Sequence, residues 1–412
     1  MTDVTHIKQL DPIDQQQWQQ LFGDSPLTSH HFLNALEQSH SIDQQSGWQP
    51  QHLTLSSSTG ELKAALPLYL KQHSYGEYVF DWSWADACQR AGIRYYPKLV
   101  TTIPFTPTTG KRIGYVDDQQ LQPLLSGLVN QARQLHASSW HLLFADRPSR
   151  ELIQRHWQEL SGSLAETEGF ETESFETEGL EAKNAQIQSN TLLPLLERHD
   201  CQFHWFNRNY RDFDHFLEGF SSRKRKNLRK ERRRIDEQQI QMKRLTGKQL
   251  TEEVLDQFFQ FYQHTYHQRG QTAYLNRNFF DRIRQQLNQQ MLLVIAERDH
   301  QPVGAALFLF DQQALYGRWW GGLPELDCLH FEACYYQGIE FAIERKLQYF
   351  DPGTQGEHKL LRGFEPVRTG SLHWLRHPGL HQAVEHSLQS ERQQISRYIE
   401  QARMHLPFKK TT

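Results

Sequence analysis

The chain has 412 residues, more than one ordinary core accommodates, so two domains are expected. Its 45 Lys and Arg against 48 Asp and Glu leave a formal net charge of −3, and 12% aromatic residues supply material for packed cores. No run approaches the roughly 20 apolar residues that span a bilayer, and the start, Met1-Thr-Asp-Val-Thr-His6, reads as carrying no secretory leader. Cys88, Cys201, Cys328 and Cys334 form no CxxC, which excludes a zinc ribbon or disulfide scaffold and fits reduced thiols in the cytoplasm.

In chain order, residues 52–55 and 61–70 alternate as an antiparallel hairpin around a polar turn ending in Gly60. Residues 78–84, Tyr-Val-Phe-Asp-Trp-Ser-Trp, read as an aromatic strand, followed by a helix around 88–96. From Glu166 to Leu180 an acidic pentapeptide occurs three times (ETEGF, ETESF, ETEGL). Such a tract cannot bury enough surface to order itself, so residues 161–190 are expected to be a disordered insertion. Residues 203–210 form an aromatic-basic strand or turn, and core packing is the simpler account of its rings.

The run Ser221-Ser-Arg-Lys-Arg-Lys-Asn-Leu-Arg-Lys-Glu-Arg-Arg-Arg-Ile235 carries the densest charge in the chain. Ser221 or Ser222 can cap a helix, and no Gly or Pro interrupts it. At about 100° per residue, Leu228, Ile235 and the stem of Arg232 share one face, leaving most of the cations outside. Cations packed this closely repel one another unless an anion lies nearby. Arg223, Arg225, Lys226, Asn227, Arg229 and Lys230 are therefore candidates to hold a phosphate-bearing partner: a nucleotide sugar, a lipid diphosphate or tRNA. The plain alternative is a solvated basic helix.

Beyond it, residues 240–245 alternate as a strand, and helices are expected around 255–262 and 279–287. A hairpin at 291–297 and 302–310, a strand at 314–321, a helix at 331–344 and a strand at 347–351 follow. Residues 383–402 make a polar, Gln-rich outer helix. Both halves share the order hairpin, aromatic strand, helix, which argues for two copies of one fold. The second half, β-α-α-β-β-β-α-β, resembles the GNAT acyltransferase fold, a mixed sheet that splays to admit an acyl donor. The expected class is α/β (α+β), with two tandem GNAT-like domains. Residues 1–160 form the first and 161–190 the insertion. Residues 191–220 complete or connect the first domain, and 221–412 form the second.

Gly353-Thr-Gln-Gly-Glu-His-Lys-Leu-Leu-Arg-Gly-Phe364 follows a strand end, where a crevice opens in α/β sheets. Glu357 or His358 could deprotonate an amine, and Lys359 or Arg362 could steady an oxyanion or a phosphate. A polar surface loop is the bland alternative. His330 and Glu332 enter the helix after Trp319-Trp-Gly-Gly322, and the corresponding part of the first half offers Asp81, Trp84, Asp86 and Lys98. The turns at 84–94 and 321–330 lack the Q/R-x-x-G-x-G/A that cradles the pyrophosphate of acetyl-CoA. P-loop, HExxH, G-x-S-x-G and Rossmann fingerprints are also missing from the sequence.

Tyr75-Gly-Glu-Tyr-Val-Phe-Asp-Trp-Ser-Trp-Ala-Asp86, Tyr95-Tyr-Pro-Lys98, Pro104-Phe-Thr-Pro107, Ser221-Ser-Arg-Lys-Arg-Lys-Asn227 and Gln355-Gly-Glu-His-Lys359 together resemble a bacterial GNAT-like family. Its members are described as peptidoglycan biosynthesis/recognition proteins or N-acyltransferases, similar in turn to the Fem-type aminoacyltransferases. The resemblance covers nearly the whole chain. It implies an N-acyltransferase with its site between two domains, moving an acyl or aminoacyl group to an amine acceptor such as a phosphate-bearing, lipid-linked cell-wall precursor. The implied donor is aminoacyl-tRNA or acyl-CoA, with peripheral contact at a membrane. Fem-type proteins also carry a basic segment before the second domain, where Arg225, Asn227, Arg229 and Lys230 stand here, but their long helix pair for tRNA is not evident. The rival expectations are an acetyl-CoA-dependent N-acetyltransferase and a non-catalytic peptidoglycan or polyanion recognition module.

Overall fold

The structure, a computed structural model, describes residues 3–167, 192–323, 326–354 and 356–409. Most of the acidic segment, from residue 168 on, lies outside the described residues. In the first half come β1 (Asp3–Ile7), α1 (Gln15–Phe22), α2 (His30–Gln38), β2 (Trp48–Pro50), β3 (His52–Ser56), β4 (Leu62–Leu66) and β5 (Tyr69–Lys71). Then follow α3 (Trp82–Arg90), β6 (Lys98–Thr101), β7 (Gly114–Tyr115), α4 (Leu121–Gln134), β8 (Ser139–Leu142), α5 (Arg147–Thr167) and β9 (Leu196–Phe206).

The short α6 (Phe213–Glu218) and the basic α7 (Ser222–Glu237) lead to β10 (Gln241–Thr246), α8 (Glu252–His267) and α9 (Arg277–Leu287). Next are β11 (Met291–Arg298), β12 (Gln301–Phe310) and β13 (Ala314–Gly322). α10 (Leu329–Phe331) runs through a π-helical turn (Glu332–Tyr336) into α11 (Gln337–Glu344). β14 (Tyr349–Asp351), a 3-10 turn (Glu357–Arg362), β15 (Glu365–Leu375) and α12 (Pro378–Met404) complete the chain.

The two halves repeat one GNAT-like order, mixed sheet and all. β1 and β10 pair antiparallel with β3 and β11, and each half ends in a parallel pair, β6 with β8 and β13 with β14. In the first half the hairpin is broken at Gln51 and Pro67, because proline has no N–H to continue a ladder. β3 and β4 therefore lie in a four-stranded sheet, while β2 and β5 join the large one. The 11-stranded sheet runs β10-β11-β12-β13-β14-β9-β15-β8-β6-β5-β2. At its centre the halves exchange strands: β9, which follows β8, pairs with β14, and β15, which follows β14, pairs with β8. β9 and β15 also pair with each other, from Glu365 opposite His204 to His373 opposite Leu196.

Both faces of the sheet are covered, which is why β11 reads as an unbroken apolar run rather than an alternation. Leu293 and Ile295 pack against Phe258, Phe280 and Ile283 of α8 and α9. Leu292 and Val294 pack on the opposite side with Ile339 and Ala342 of α11 and Leu228 of α7.

Residues 78–84 are not a strand. They form a loop that turns into α3, and the parallel strand of the first half is β6, followed by α4. The cause lies in Glu77 and Asp81, whose carboxylates turn inward to the buried ammonium of Lys98, at 2.8 and 2.5 Å. Pinning both ends of a five-residue segment to one point makes it a loop. The helix expected to reach residue 96 stops at Arg90, and Gly92 takes a positive φ of 68°.

Candidate functional site

β13 and β14 pair through Ala314–Tyr349, Leu315–Phe350 and Tyr316–Asp351; then β14 ends while β13 continues to Gly322. The parting strands leave a wedge. α8 closes over β13 because Gly321 has no side chain: a Cβ there would lie 2.1 Å from the Phe261 carbonyl oxygen. In the wedge is a cavity of about 130 Å³, lined by Gly317, Arg318 and Trp319 of β13 and by Pro352, Gly353 and Thr354 beyond β14. Tyr262 and Tyr266 of α8, Tyr274, and Tyr78 and Phe105 from the first half close it. Both first-half residues have positive φ, 60° and 57°, a conformation costly for an aromatic residue and often found at functional sites. The Phe105 ring stacks on Tyr274 at 4.9 Å.

A charged lattice underlies the cavity. Arg318 Nη2 donates to Asp351 Oδ2 at 2.9 Å, and Asp351 Oδ1 accepts from the Gly353 amide at 2.8 Å. Lys359 Nζ donates to the carbonyls of Gly353 (2.7 Å) and Thr354 (3.0 Å), fixing the cavity wall. Burial alone would raise the Asp351 carboxyl, but Arg318 and His204 outweigh it and hold it below its ordinary range. Burial, with Arg318 beside it, pulls Lys359 down to about 8.

The residues singled out from sequence divide among several places. Glu357, His358 and Lys359 share one 3-10 turn yet point apart. Glu357 is exposed and accepts from Tyr398 Oη at 2.9 Å. His358 Nε2 meets Tyr335 Oη at 2.8 Å, while Lys359 is buried as described. Burial and the nearby Arg362 push His358 below its ordinary range, keeping its imidazole neutral at pH 7. Its ring lies 6.2 Å from that of His330, which burial and His358 lower to about 4. Arg362 is spoken for as well, donating to the His358 carbonyl and to Glu231 Oε1, each at 2.8 Å.

Glu332 is buried and accepts from Arg232 of α7 at 2.9 Å; Glu340 takes another arm of the same guanidinium at 2.5 Å. Protein carboxylates thus supply part of the anion that the basic run called for. Arg229 pairs with Asp214 at 2.9 Å, and Arg234 with Asp327. Arg223, Lys226, Asn227 and Lys230 are exposed, and Arg225 is half-buried. Arg223, Arg225, Lys226 and Lys230 have no ion pair among the described residues. α7 also abuts the turn after β13, where Gln238 Nε2 donates to the Asp327 carbonyl at 3.0 Å and Ile235 packs in one cluster with Leu326 and Leu329.

In the first half, Asp81 and Lys98 meet as already noted, Trp84 is buried 5.0 Å from the His373 ring, and Asp86 faces outward. Sequence reasoning did not single out the tyrosines of the cavity, nor Arg318. Tyr262 and Tyr266 stand four apart on one helix face, a pattern that reads equally as core. Arg318 was the better clue, a lone cation in the middle of the apolar strand Ala314–Gly322. Among the described residues no group of His, Cys, Asp and Glu could hold a metal, and no helix is long and apolar enough to cross a membrane.

A FemAB-like family model, described as peptidoglycan biosynthesis/recognition, matches residues 9–410. No curated protein matches the chain. Among solved structures, FemX is similar at 13% identity over 93% of this chain and 100% of that one, with a TM-score of 0.48. L-PGS from Bacillus licheniformis is similar at 10% identity over 90% and 93%, with a TM-score of 0.48. A protein from Bacteroides thetaiotaomicron is similar at 11% identity over 91% and 100%, with a TM-score of 0.49.

Proposed function

Because the chain belongs to the FemAB-like peptidoglycan biosynthesis/recognition family, we propose that it is an N-acyltransferase that moves an acyl or aminoacyl group onto an amine acceptor. The observation that carries this reading is the wedge. Where β14 leaves β13, backbone N–H and C=O groups of β13 lose their strand partner. An extended donor arm can take them up as an added strand would. The cavity at that point has aromatic walls, suited to the apolar part of an acyl group.

In this reading two GNAT-like units, residues 1–160 with 191–220 and residues 221–412, present the wedge at their junction. The acceptor is a phosphate-bearing, lipid-linked cell-wall precursor. Arg223, Arg225, Lys226 and Lys230 of α7 hold its phosphates, beside the turn where an ordinary GNAT protein holds pyrophosphate. His358, neutral and on the turn that follows the cavity wall, takes the proton of the attacking amine.

The test is a transfer assay with labelled aminoacyl-tRNA in one arm and labelled acetyl-CoA in the other, each with lipid-linked and nucleotide-linked muropeptides. Label appearing in an amide of the precursor supports the proposal and names the donor. Stoichiometric precursor binding with no transfer from either donor would leave a recognition module in its place.

A further inference from the structure

We propose that Tyr335 is a positioning residue of this transfer: its phenol oxygen takes the Nε2–H of His358, fixing the tautomer that leaves Nδ1 free to receive the amine proton. This rests on His358 being the base. Tyr335 Oη and His358 Nε2 are 2.8 Å apart; Tyr335 is 4% exposed, whereas His358 is an exposed residue. An exposed side chain ordinarily keeps its rotamers, since ordering it costs entropy. This one is held from several sides. Its ring lies over Gly356, where a Cβ would collide with Cε1 and Nδ1, and the Gly356 φ of 102° disfavours any side chain there. The His358 carbonyl accepts from Arg362 Nη1 at 2.8 Å, and that guanidinium lies 3.4 Å from the centre of the Phe331 ring. Phe331 in turn is 5.7 Å from the imidazole.

The π-helical turn sets the place of Tyr335. Such a turn inside a helix is rare and frequent at functional sites. Here it is tied to α7 at both ends, through Glu332 to Arg232 at 2.9 Å and through Tyr336 Oη, which donates to Glu231. Between these ties the Tyr335 ring packs with Phe331, Phe364 and the imidazole, at 6.2, 5.3 and 5.7 Å.

A neutral imidazole has one N–H and one lone pair. Were the phenol to donate to Nε2, that lone pair would be occupied and Nδ1 would carry the hydrogen, leaving no base. With Nε2–H donating to Oη, Nδ1 keeps its lone pair, and it has no hydrogen-bond partner among the described residues. In the step, the amine lone pair forms the C–N bond at the acyl carbon, and an amine proton passes to Nδ1. The imidazolium returns that proton to the leaving oxygen or sulfur, whose bond to carbon breaks with its electrons. While the ring is charged its bond to the phenol is stronger, as charge-assisted hydrogen bonds are. Tyr335 thereby offsets Arg362 and Lys359 of the same turn, which disfavour the charged ring, and His330 of α10, which faces it at 6.2 Å. Glu357, the adjacent carboxylate, is taken up by Tyr398.

The test uses Y335F, which keeps the packed ring and removes the hydroxyl. Histidine ring-nitrogen NMR of the full chain, with His358 assigned by its loss in H358Q, should show the Nε2–H tautomer. Y335F should give a mixture of tautomers and lower the titration midpoint of His358 by about 0.5–1 pH unit, because a hydrogen bond to the charged form is lost. With the donor that supports turnover, Y335F should lower kcat about tenfold, part of what a positioned base contributes, with KM within about twofold. In the H358A background it should cost nothing further, because it acts through His358. A hydrogen on Nδ1 in the wild type, an unchanged titration in Y335F, or an equal further loss in H358A/Y335F overturns the proposal; the last would mark a merely structural hydroxyl. Absence of transfer from either donor, with the Nε2–H tautomer present and lost in Y335F, defeats the acyltransferase reading and keeps Tyr335 as the group that orients His358.

Discussion

The buried ion cluster of the first half gives the strongest stability prediction, with Lys98→Met as the perturbation. The Lys98 ammonium is 0% exposed and spends three N–H donors on Ser74 Oγ (2.7 Å), Glu77 Oε2 (2.8 Å) and Asp81 Oδ2 (2.5 Å). The carboxylates are 1% and 3% exposed, and their remaining oxygens, Glu77 Oε1 and Asp81 Oδ1, have no hydrogen-bond partner among the described residues. Burial alone pulls Lys98 down, but Glu77 and Asp81 outweigh it and hold the lysine above its ordinary range. Methionine preserves the stem and deletes the charge, leaving two carboxylates in the interior with the buried Lys71 as a remaining cation that interacts with both. Removing one partner of a buried pair costs about 3–5 kcal/mol, and two stranded carboxylates put this variant at the upper end. That is a large part of the roughly 5–15 kcal/mol by which folded domains are stable.

The assay is urea unfolding followed by tryptophan fluorescence. K98M should lower the midpoint strongly, and K98M/E77Q/D81N, with neither carboxylate left charged, should recover most of the loss. A cost below about 1 kcal/mol, or a triple variant no more stable than the single, would refute the argument, because the expected penalty is one of stranded charge. The cluster also pins the loop that carries Tyr78 to the cavity, so K98M should shift the tyrosine resonances there.

Four further outcomes follow from named contacts. Burial raises Glu77 from 4.5 to about 7; the folded state then binds the proton more tightly than the unfolded one, so stability falls as pH rises between those values and levels off above, and E77Q should remove that fall in unfolding measured across pH. Gly321→Ala would place a methyl 2.1 Å from the Phe261 carbonyl and should cost about 1–3 kcal/mol or more, whereas Gly162→Ala on α5, with nothing within 4 Å, should be neutral or slightly stabilising in the same denaturation assay. His358→Ala should reduce transfer about 10²-fold or more as loss of a general base, while Glu357→Gln, at an exposed carboxylate held by Tyr398, should leave it nearly intact; the reverse ranking would move the base to Glu357. R223A/K226A/K230A should leave unfolding free energy within about 0.5 kcal/mol but lower the salt slope of polyanion binding by about 0.7–0.9 per cation; an unchanged slope would show that the stripe holds no phosphates.

What could be read from sequence was whatever is written locally. Leu228 and Ile235, seven residues apart among cations, marked α7 and its buried face, and both are buried. The apolar runs at 291–297 and 302–310 marked a hairpin, and β11 and β12 pair as one. The segment 78–84 failed because its fate is decided by Lys98, 14 residues beyond its end, which draws in carboxylates that flank or interrupt an otherwise strand-like pattern. The cavity was hidden for the same reason. Tyr78, Phe105, Tyr262, Tyr274 and Arg318 come from separate segments, and none of the four aromatics alone differs from an ordinary core or surface residue.

The strand exchange is the least legible feature and explains why the cavity is lined from both halves. The first part of β9, Glu197-Arg-His-Asp200, is polar and half-covered, so it signals no strand until β15 lies beside it. Once β15 pairs with both β9 and β8, the segment from Pro352 to Phe364 is anchored twice, at β14 in its own half and at a strand built into the other half's sheet. Lys359 ties its middle to the cavity wall, and Arg362 ties its end to Glu231 of α7. A displacement of the first half against the second must therefore pull on the wall of the cavity and on the basic helix together. Two copies of one fold joined merely in tandem would lack that connection; the exchanged strands make the wedge, the basic helix and the first-half loops a single mechanical unit.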